Sequence, residues 1–225
     1  KLTKNKKNAF FLDSVTGGEV KGRYSVIGMD PDLIWECYGE TSQVKRKTDN
    51  KFTNFVTCES KPLDALRGLI ADTKIDFPKS LPQMSAGLFG FLGYDMIRLV
   101  ENLPNINPDV LNLPDALMMR PQTVIIIDGV KSEIIIVCPV WVNGHLDAHQ
   151  AYQSSVSRIL KIKKKMKSKI KISQVSVAGI SGDQKAKSNV TKSEYLKTIR
   201  RAKKYILNGD IFQVVPSQRW SQPFK

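Results

Sequence analysis

Two short apolar runs near the start, AFFLDSV (residues 9–15) and YSVIGM (24–29), predict a pair of strands around a turn carrying Gly17 and Gly18. The stretch DLIWECYGETSQVKRK continues the strand pattern, with apolar residues alternating at Leu33, Trp35 and Cys37. Residues 61–75 change period. Pro62 stands in a first turn, and Leu63, Leu66, Leu69 and Ile70 recur at helical spacing. In SAGLFGFLGYDMIRLVENLP, Gly87, Gly90 and Gly93 fall three apart among large apolar residues, a spacing that lets one element approach another backbone closely in a sheet. TVIIIDGVKSEIIIVCPV (123–140) reads as a hairpin, two β-branched runs joined at Asp128-Gly129. A helix over 147–166 follows.

Next comes SQVSVAGISGDQKAKSNV, a Ser/Gly/Lys-rich stretch with the composition of a linker. Thr191 then opens T-K-S-E, a capping box with Glu194 three residues on, and the helix it starts should stop at Asn208-Gly209. IFQVVPSQRW is expected to form a strand. Strands in series with few helices predict an α+β fold: large antiparallel β-sheets with flanking helices. The expected division is residues 1–172, a linker over 173–190, and residues 191–225 as the first helix and strand of a further domain. A chain that begins at Lys1 and stops just after an expected strand is read as an internal piece of a longer protein.

Composition narrows the function classes. With 225 residues, 41% hydrophobic and 25% charged, the chain can bury a sizeable core, and wholesale disorder is excluded. The longest apolar run, around IIIVCPVWV, falls short of the roughly 18 residues of a bilayer-spanning helix. The basic start KLTKNKK is not followed by a signal-peptide core, and Cys37, Cys58 and Cys138 form neither a disulfide framework nor a zinc pattern. A reducing, cytoplasmic setting without a membrane is the expectation. The formal charge of +14 invites a nucleic-acid reading. Much of it, however, lies in KIKKKMKSKIK (161–171), where Ile159, Ile162, Met166 and Ile170 recur at helical spacing and put the lysines on an outer face. No aromatic residue interleaves them to stack on bases, so no nucleic-acid partner is expected.

Candidate chemistry is sparse. Gly87, Gly90 and Gly93 lack both phosphate-loop and dinucleotide spacing and read as packing. His145 and His149 lie four apart without a third ligand nearby, so no metal is assigned to them. The opening turn is richer. Asp13 and Ser14 precede it and Arg23 follows it, together a carboxylate, a hydroxyl and a guanidinium that suit an amino-acid ligand as well as ordinary turn chemistry. Gln213, an uncharged amide within IFQVV, is the other candidate, because an amide among apolar neighbours needs partners if buried.

Three stretches in order, FLDSVTGGEVKGRYSVIGMDPDLIW, SAGLFGFLGYDMIR and SEYLKTIRRAKKYILNGDIFQVVPSQRW, resemble anthranilate synthase component I, the chorismate-binding subunit of tryptophan biosynthesis. The resemblance covers essentially the whole chain. It implies conversion of chorismate and ammonia to anthranilate and pyruvate, with Mg²⁺ as cofactor. Its further implications are tryptophan as feedback inhibitor and a glutaminase partner subunit in a hetero-oligomer. Ser14 matches the serine of the family's inhibitor-binding "LLES" segment, and Asp13 stands where that segment carries glutamate. Arg23 is the basic partner taken for the same pocket, so that tryptophan is expected at Asp13, Ser14 and Arg23. Gln213 is the catalytic choice: chorismate enzymes that add water carry a lysine at that strand position, and a glutamine suits free ammonia. Pro216 departs from the family's leucine. The Mg²⁺ ligands are expected beyond residue 225. Aminodeoxychorismate synthase component I is the alternative within the same fold; an amino-acid-sensing module is the alternative of another class.

Overall fold

The computed structural model describes residues 2–4, 6–14, 22–48, 51–104, 108–141, 147–169 and 186–222. The chain divides into two compact units, Lys1–Ile170 and Lys171–Lys225.

The first unit is built on an eight-stranded sheet in which every described pair is antiparallel. In chain order it contains β1 (Phe10–Leu12), β2 (Tyr24–Tyr38), β3 (Thr41–Thr48), β4 (Lys51–Phe52) and β5 (Val56–Thr57). After the helix α1 (Pro62–Asp72) come β6 (Phe89–Leu92), β7 (Ala116–Asp128), β8 (Glu133–Val137) and the helix α2 (Ala148–Lys167). The long strands β2 and β7 pair down the middle, from Tyr24 opposite Asp128 to Cys37 opposite Ala116. β3 and β1 lie against β2, and β6 and β8 against β7. The α+β expectation, a large antiparallel sheet with flanking helices, is what the chain forms.

One irregularity explains the hydrophobic pattern of β2. The register with β7 shifts between Pro31 and Leu33, two residues of β2 being set against one of β7. Val26 before this bulge and Leu33, Trp35 and Cys37 after it therefore share a face, although their numbers change parity. That face holds both core clusters. Leu33, Trp35 and Cys37 pack with Leu66 and Leu69 of α1, and Val26 packs with Val124 and Ile126 of β7. The bulge residue Asp32 is buried, and its carboxylate takes two hydrogen bonds at 2.8 Å from Arg120 on β7, so the charge enters the core paired.

The close-approach reading of the third stretch holds for Gly90 and Gly93 and fails for Gly87, where an added Cβ would meet nothing within 4 Å. Gly90 on β6 lies against the β7 backbone so closely that an added Cβ would sit 1.8 Å from the Leu117 carbonyl oxygen. The hairpin differs in its turn. Asp128 is the last residue of β7 and pairs with Glu133, so the loop is the four residues Gly129–Ser132 instead of a tight turn centred on Asp128-Gly129. The cause is the Asp128 carboxylate, which accepts the N–H groups of Val130 and Lys131 and holds a wider loop.

In the second unit, α3 (Lys192–Leu207) starts at Thr191 with the expected capping box, and Gly209 follows it at φ 80°. Two short strands, β9 (Lys187–Ser188) and β10 (Trp220–Ser221), pair antiparallel. The expected strand IFQVVPSQRW is confined to its last residue. A strand needs a neighbour for its backbone groups, and Pro216 has no N–H to offer one. Residues 211–219 have no ladder partner among the described residues. β9 also shows that part of the 173–190 stretch is strand; residues 173–185 of that stretch, like Gly17, Gly18 and His145, lie outside the described residues.

Candidate functional site

β1 brings the Asp13–Ser14 corner against the start of β2, because Leu12 lies opposite Val26. The hydroxyl of Ser14 donates to the Tyr24 carbonyl at 2.6 Å, and its N–H donates to the Ser25 hydroxyl at 3.1 Å. Ser25 in turn donates to the Asp13 carboxylate at 2.8 Å. Asp13 is exposed, and Ser14 and Ser25 are half-buried. Two of the three residues taken for an amino-acid ligand, Asp13 and Ser14, are thus brought together through Ser25.

Arg23 is engaged elsewhere. Its Nε donates to Asp128 Oδ1 at 3.0 Å and its Nη2 to Oδ2 at 2.7 Å, a bidentate pair at the end of the β2–β7 ladder. The Asp128 side chain is only 2% exposed, and the Arg23 guanidinium also lies 4.9 Å from the centre of the Tyr24 ring. The hydrogen bonds from Arg23 hold the Asp128 carboxyl at about 2, below its usual 3.8. Burial works in the opposite sense, and the Lys131 and Val130 N–H groups add to the lowering. The Arg23 guanidinium, expected to meet a ligand carboxylate, is paired here with Asp128, and the pair fixes the rim beside Tyr24. Sequence reading gave Asp128 only to a turn and left Ser25 within the expected strand YSVIGM without a role. The signal for Asp128 was a carboxylate at the end of an otherwise apolar strand, where a buried charge requires a partner.

Gln213 does not occupy a buried strand face. It is exposed, in the stretch without regular secondary structure between α3 and β10. Among the described residues no group of three or more His, Cys, Asp or Glu side chains gathers to hold a metal ion. No described helix is long and apolar enough to cross a membrane.

Asp13, Ser14 and Ser25 thus form one hydrogen-bonded polar corner on a long antiparallel sheet. The family model for chorismate binding enzymes matches residues 7–225, and the chain belongs to that family. Among its relatives, the anthranilate synthase component 1 of Cereibacter sphaeroides is 47% identical over 225 residues, which cover 100% of this chain and 45% of that protein. The anthranilate synthase component 1 of Acetivibrio thermocellus is 34% identical over 214 residues, 93% of this chain and 42% of that protein. The chain spans less than half the length of these curated relatives. The crystal structure of anthranilate synthase component I from Streptococcus pneumoniae superposes with a TM-score of 0.63 over 94% of this chain and 44% of that one, at 20% identity, a likeness of fold.

Proposed function

We propose that the whole protein is an anthranilate synthase component 1, forming anthranilate, pyruvate and water from chorismate and ammonia. The observation that carries this reading is 47% identity along all 225 residues to a relative of that name. On the same reading the ammonia comes from glutamine through a glutaminase subunit, the protein works in the cytoplasm, and Mg²⁺ is held by residues outside the described set. Residues 1–172 serve as the regulatory region, 173–190 as a connection, and 191–225 as the start of the chorismate-binding domain.

This chain's part in the proposal is regulatory. The Asp13 carboxylate meets the ammonium of tryptophan, and Ser14 either bonds the ligand or holds the corner through Tyr24, as its 2.6 Å hydrogen bond does here. Arg23, already paired with Asp128, shapes the rim by its place over Tyr24. Gln213 stays the candidate for the chorismate side. Its amide does not accept a proton from water, which favours a nucleophile that arrives as free ammonia.

The test uses the full-length protein with chorismate and an ammonium salt at alkaline pH, following anthranilate fluorescence. Product that EDTA abolishes and Mg²⁺ restores is expected, with glutamine serving only after a glutaminase subunit is added. Accumulation of aminodeoxychorismate without anthranilate would overturn the reading in favour of aminodeoxychorismate synthase component I.

A further inference from the structure

The face of the sheet opposite the core clusters carries a second polar site, separate from the Asp13–Ser14 corner. Here α2 lies over Met29 and Thr123, both buried, and between the two surfaces is a half-open cavity of about 190 Å³. Its polar lining is Lys6, Asp30, Thr123, Arg158, Lys161 and Lys165. The three basic residues that α2 contributes to this lining, Arg158, Lys161 and Lys165, fall at positions i, i+3 and i+7, which a helix presents on one side. Asp30 adopts φ 54°, the left-handed region that aspartate tolerates better than most residues, and its carboxylate is paired with the Lys6 ammonium.

Arg158 makes this more than a basic surface. Its Nη2 donates to the buried Ser155 hydroxyl at 3.2 Å, whereas Nε and Nη1 are buried without a hydrogen-bond partner among the described residues. A guanidinium nitrogen taken out of water with no acceptor is costly, and native structures rarely leave one so. Lys165 reaches the Leu2 carbonyl at 3.5 Å, a contact that leaves its charge uncompensated. The Thr123 hydroxyl, 3.6 Å from Cys138 Sγ, can donate into the same space. Four cationic side chains thus line a cavity with one carboxylate, and that carboxylate is already spent on Lys6. A water molecule would satisfy N–H groups and leave the charge unbalanced; an oxyanion satisfies both.

We propose that this cavity is a binding site for a small oxyanion, inorganic phosphate or the phosphate group of a monoester, held by Arg158, Lys161 and Lys165 with Thr123 as a neutral donor. The volume exceeds that of a phosphate group alone, so a small ester substituent fits beside it. The site is independent of the reaction proposed above, and its test involves no chorismate. A failure to make anthranilate would leave the binding result standing, and the reverse holds too.

The experiment is calorimetric titration of the full-length protein at matched ionic strength, with inorganic phosphate in one arm and glycerol 3-phosphate in the other. Saturable binding in at least one arm is expected, and the tighter arm identifies the form of the ligand. Arg158→Met and Lys161→Gln should each weaken that binding about tenfold or more, the loss of one charge-assisted hydrogen bond. Lys164→Gln, on the same helix outside the cavity lining, should leave it unchanged. Lys161 is exposed, so its variant keeps the test decisive where Arg158→Met fails to fold. The proposal is overturned if neither arm saturates, if Lys161→Gln binds like the wild type, or if Lys164→Gln weakens binding as much as Lys161→Gln does.

Discussion

The hydroxyl of Ser14 donates to the carbonyl of Tyr24 at 2.6 Å, tying the chain after β1 to the first residue of β2. The serine therefore has a structural task whether or not a ligand is bound. Ser14→Ala removes one hydrogen bond and leaves the half-buried Tyr24 carbonyl without that donor, a loss of about 1 kcal/mol in stability. If the corner is also the wall of the tryptophan pocket, the same variant weakens feedback inhibition of the full-length enzyme while its rate at saturating chorismate stays nearly constant. A loss of about 1.5–3 kcal/mol at a charged ligand group corresponds to roughly ten- to a hundredfold in inhibition constant. Measuring the melting temperature and the inhibition constant together separates the two tasks. A lowered melting temperature with an unaltered inhibition constant would assign Ser14 to the fold alone.

The Arg23–Asp128 pair predicts a pH signature. The folded-state carboxyl is held at about 2, below its ordinary 3.8, so its contribution is fully present above pH 4 and is lost as pH falls towards 2. Asp128→Asn keeps an acceptor for the Val130 and Lys131 N–H groups but removes the charge that Arg23 meets. The variant should be less stable than the wild type near neutrality, and the gap should close between about pH 4 and pH 2. Denaturant unfolding across that range measures it; a gap that is constant with pH would show that the charge contributes nothing.

Two glycines should respond in opposite directions. An alanine methyl at position 90 would collide with the Leu117 backbone oxygen, which cannot swing aside without parting β6 from β7. Gly90→Ala should cost about 1–3 kcal/mol or more. Gly68, on the exposed side of α1, has nothing within 4 Å of an added Cβ. Gly68→Ala should stabilise by about 0.5–1 kcal/mol through backbone entropy and helix propensity. Unfolding midpoints in denaturant test both, and equal effects would contradict the close approach of β6 to β7.

These cases show what the sequence made legible and where it stopped. Apolar patterns marked α1, α2, β1, β2, β3 and the β7–β8 hairpin, and the capping box marked α3, whereas β4, β5 and residues 116–122 of β7 were not expected as strands. The pairing of Asp32 with Arg120, 88 residues apart, left no local sign beyond two charges in apolar strands. The same is true of Arg23 with Asp128, 105 residues apart. Arg23 read as an available cation because its partner is supplied by another strand. The stretch around Gln213 has the composition of a strand, but a strand exists only with a neighbour to complete its hydrogen bonds. Asp13 and Ser14 were legible as a polar corner since both follow one apolar strand directly. Ser25, which joins them, enters only through the register of β1 on β2.

That join yields the last prediction. The Ser25 hydroxyl donates to Asp13 and accepts from the Ser14 N–H, so it orients the carboxylate proposed to meet a ligand ammonium. Asp13→Asn removes the charge and should weaken tryptophan inhibition of the full-length enzyme. Ser25→Ala leaves the charge and frees its direction, so it should weaken inhibition in the same sense by a smaller factor. Because Ser25 acts through Asp13, the double variant should be little worse than Asp13→Asn alone. The coupling between the two positions should then fall at about 0.5–3 kcal/mol, the range for residues in direct contact. The rate at saturating chorismate serves as the control, since neither side chain is assigned a role in the reaction. Inhibition constants for the two single variants and the double variant complete the cycle. Strictly additive effects would mean that Ser25 supports only the backbone of Ser14 and that Asp13 acts without it.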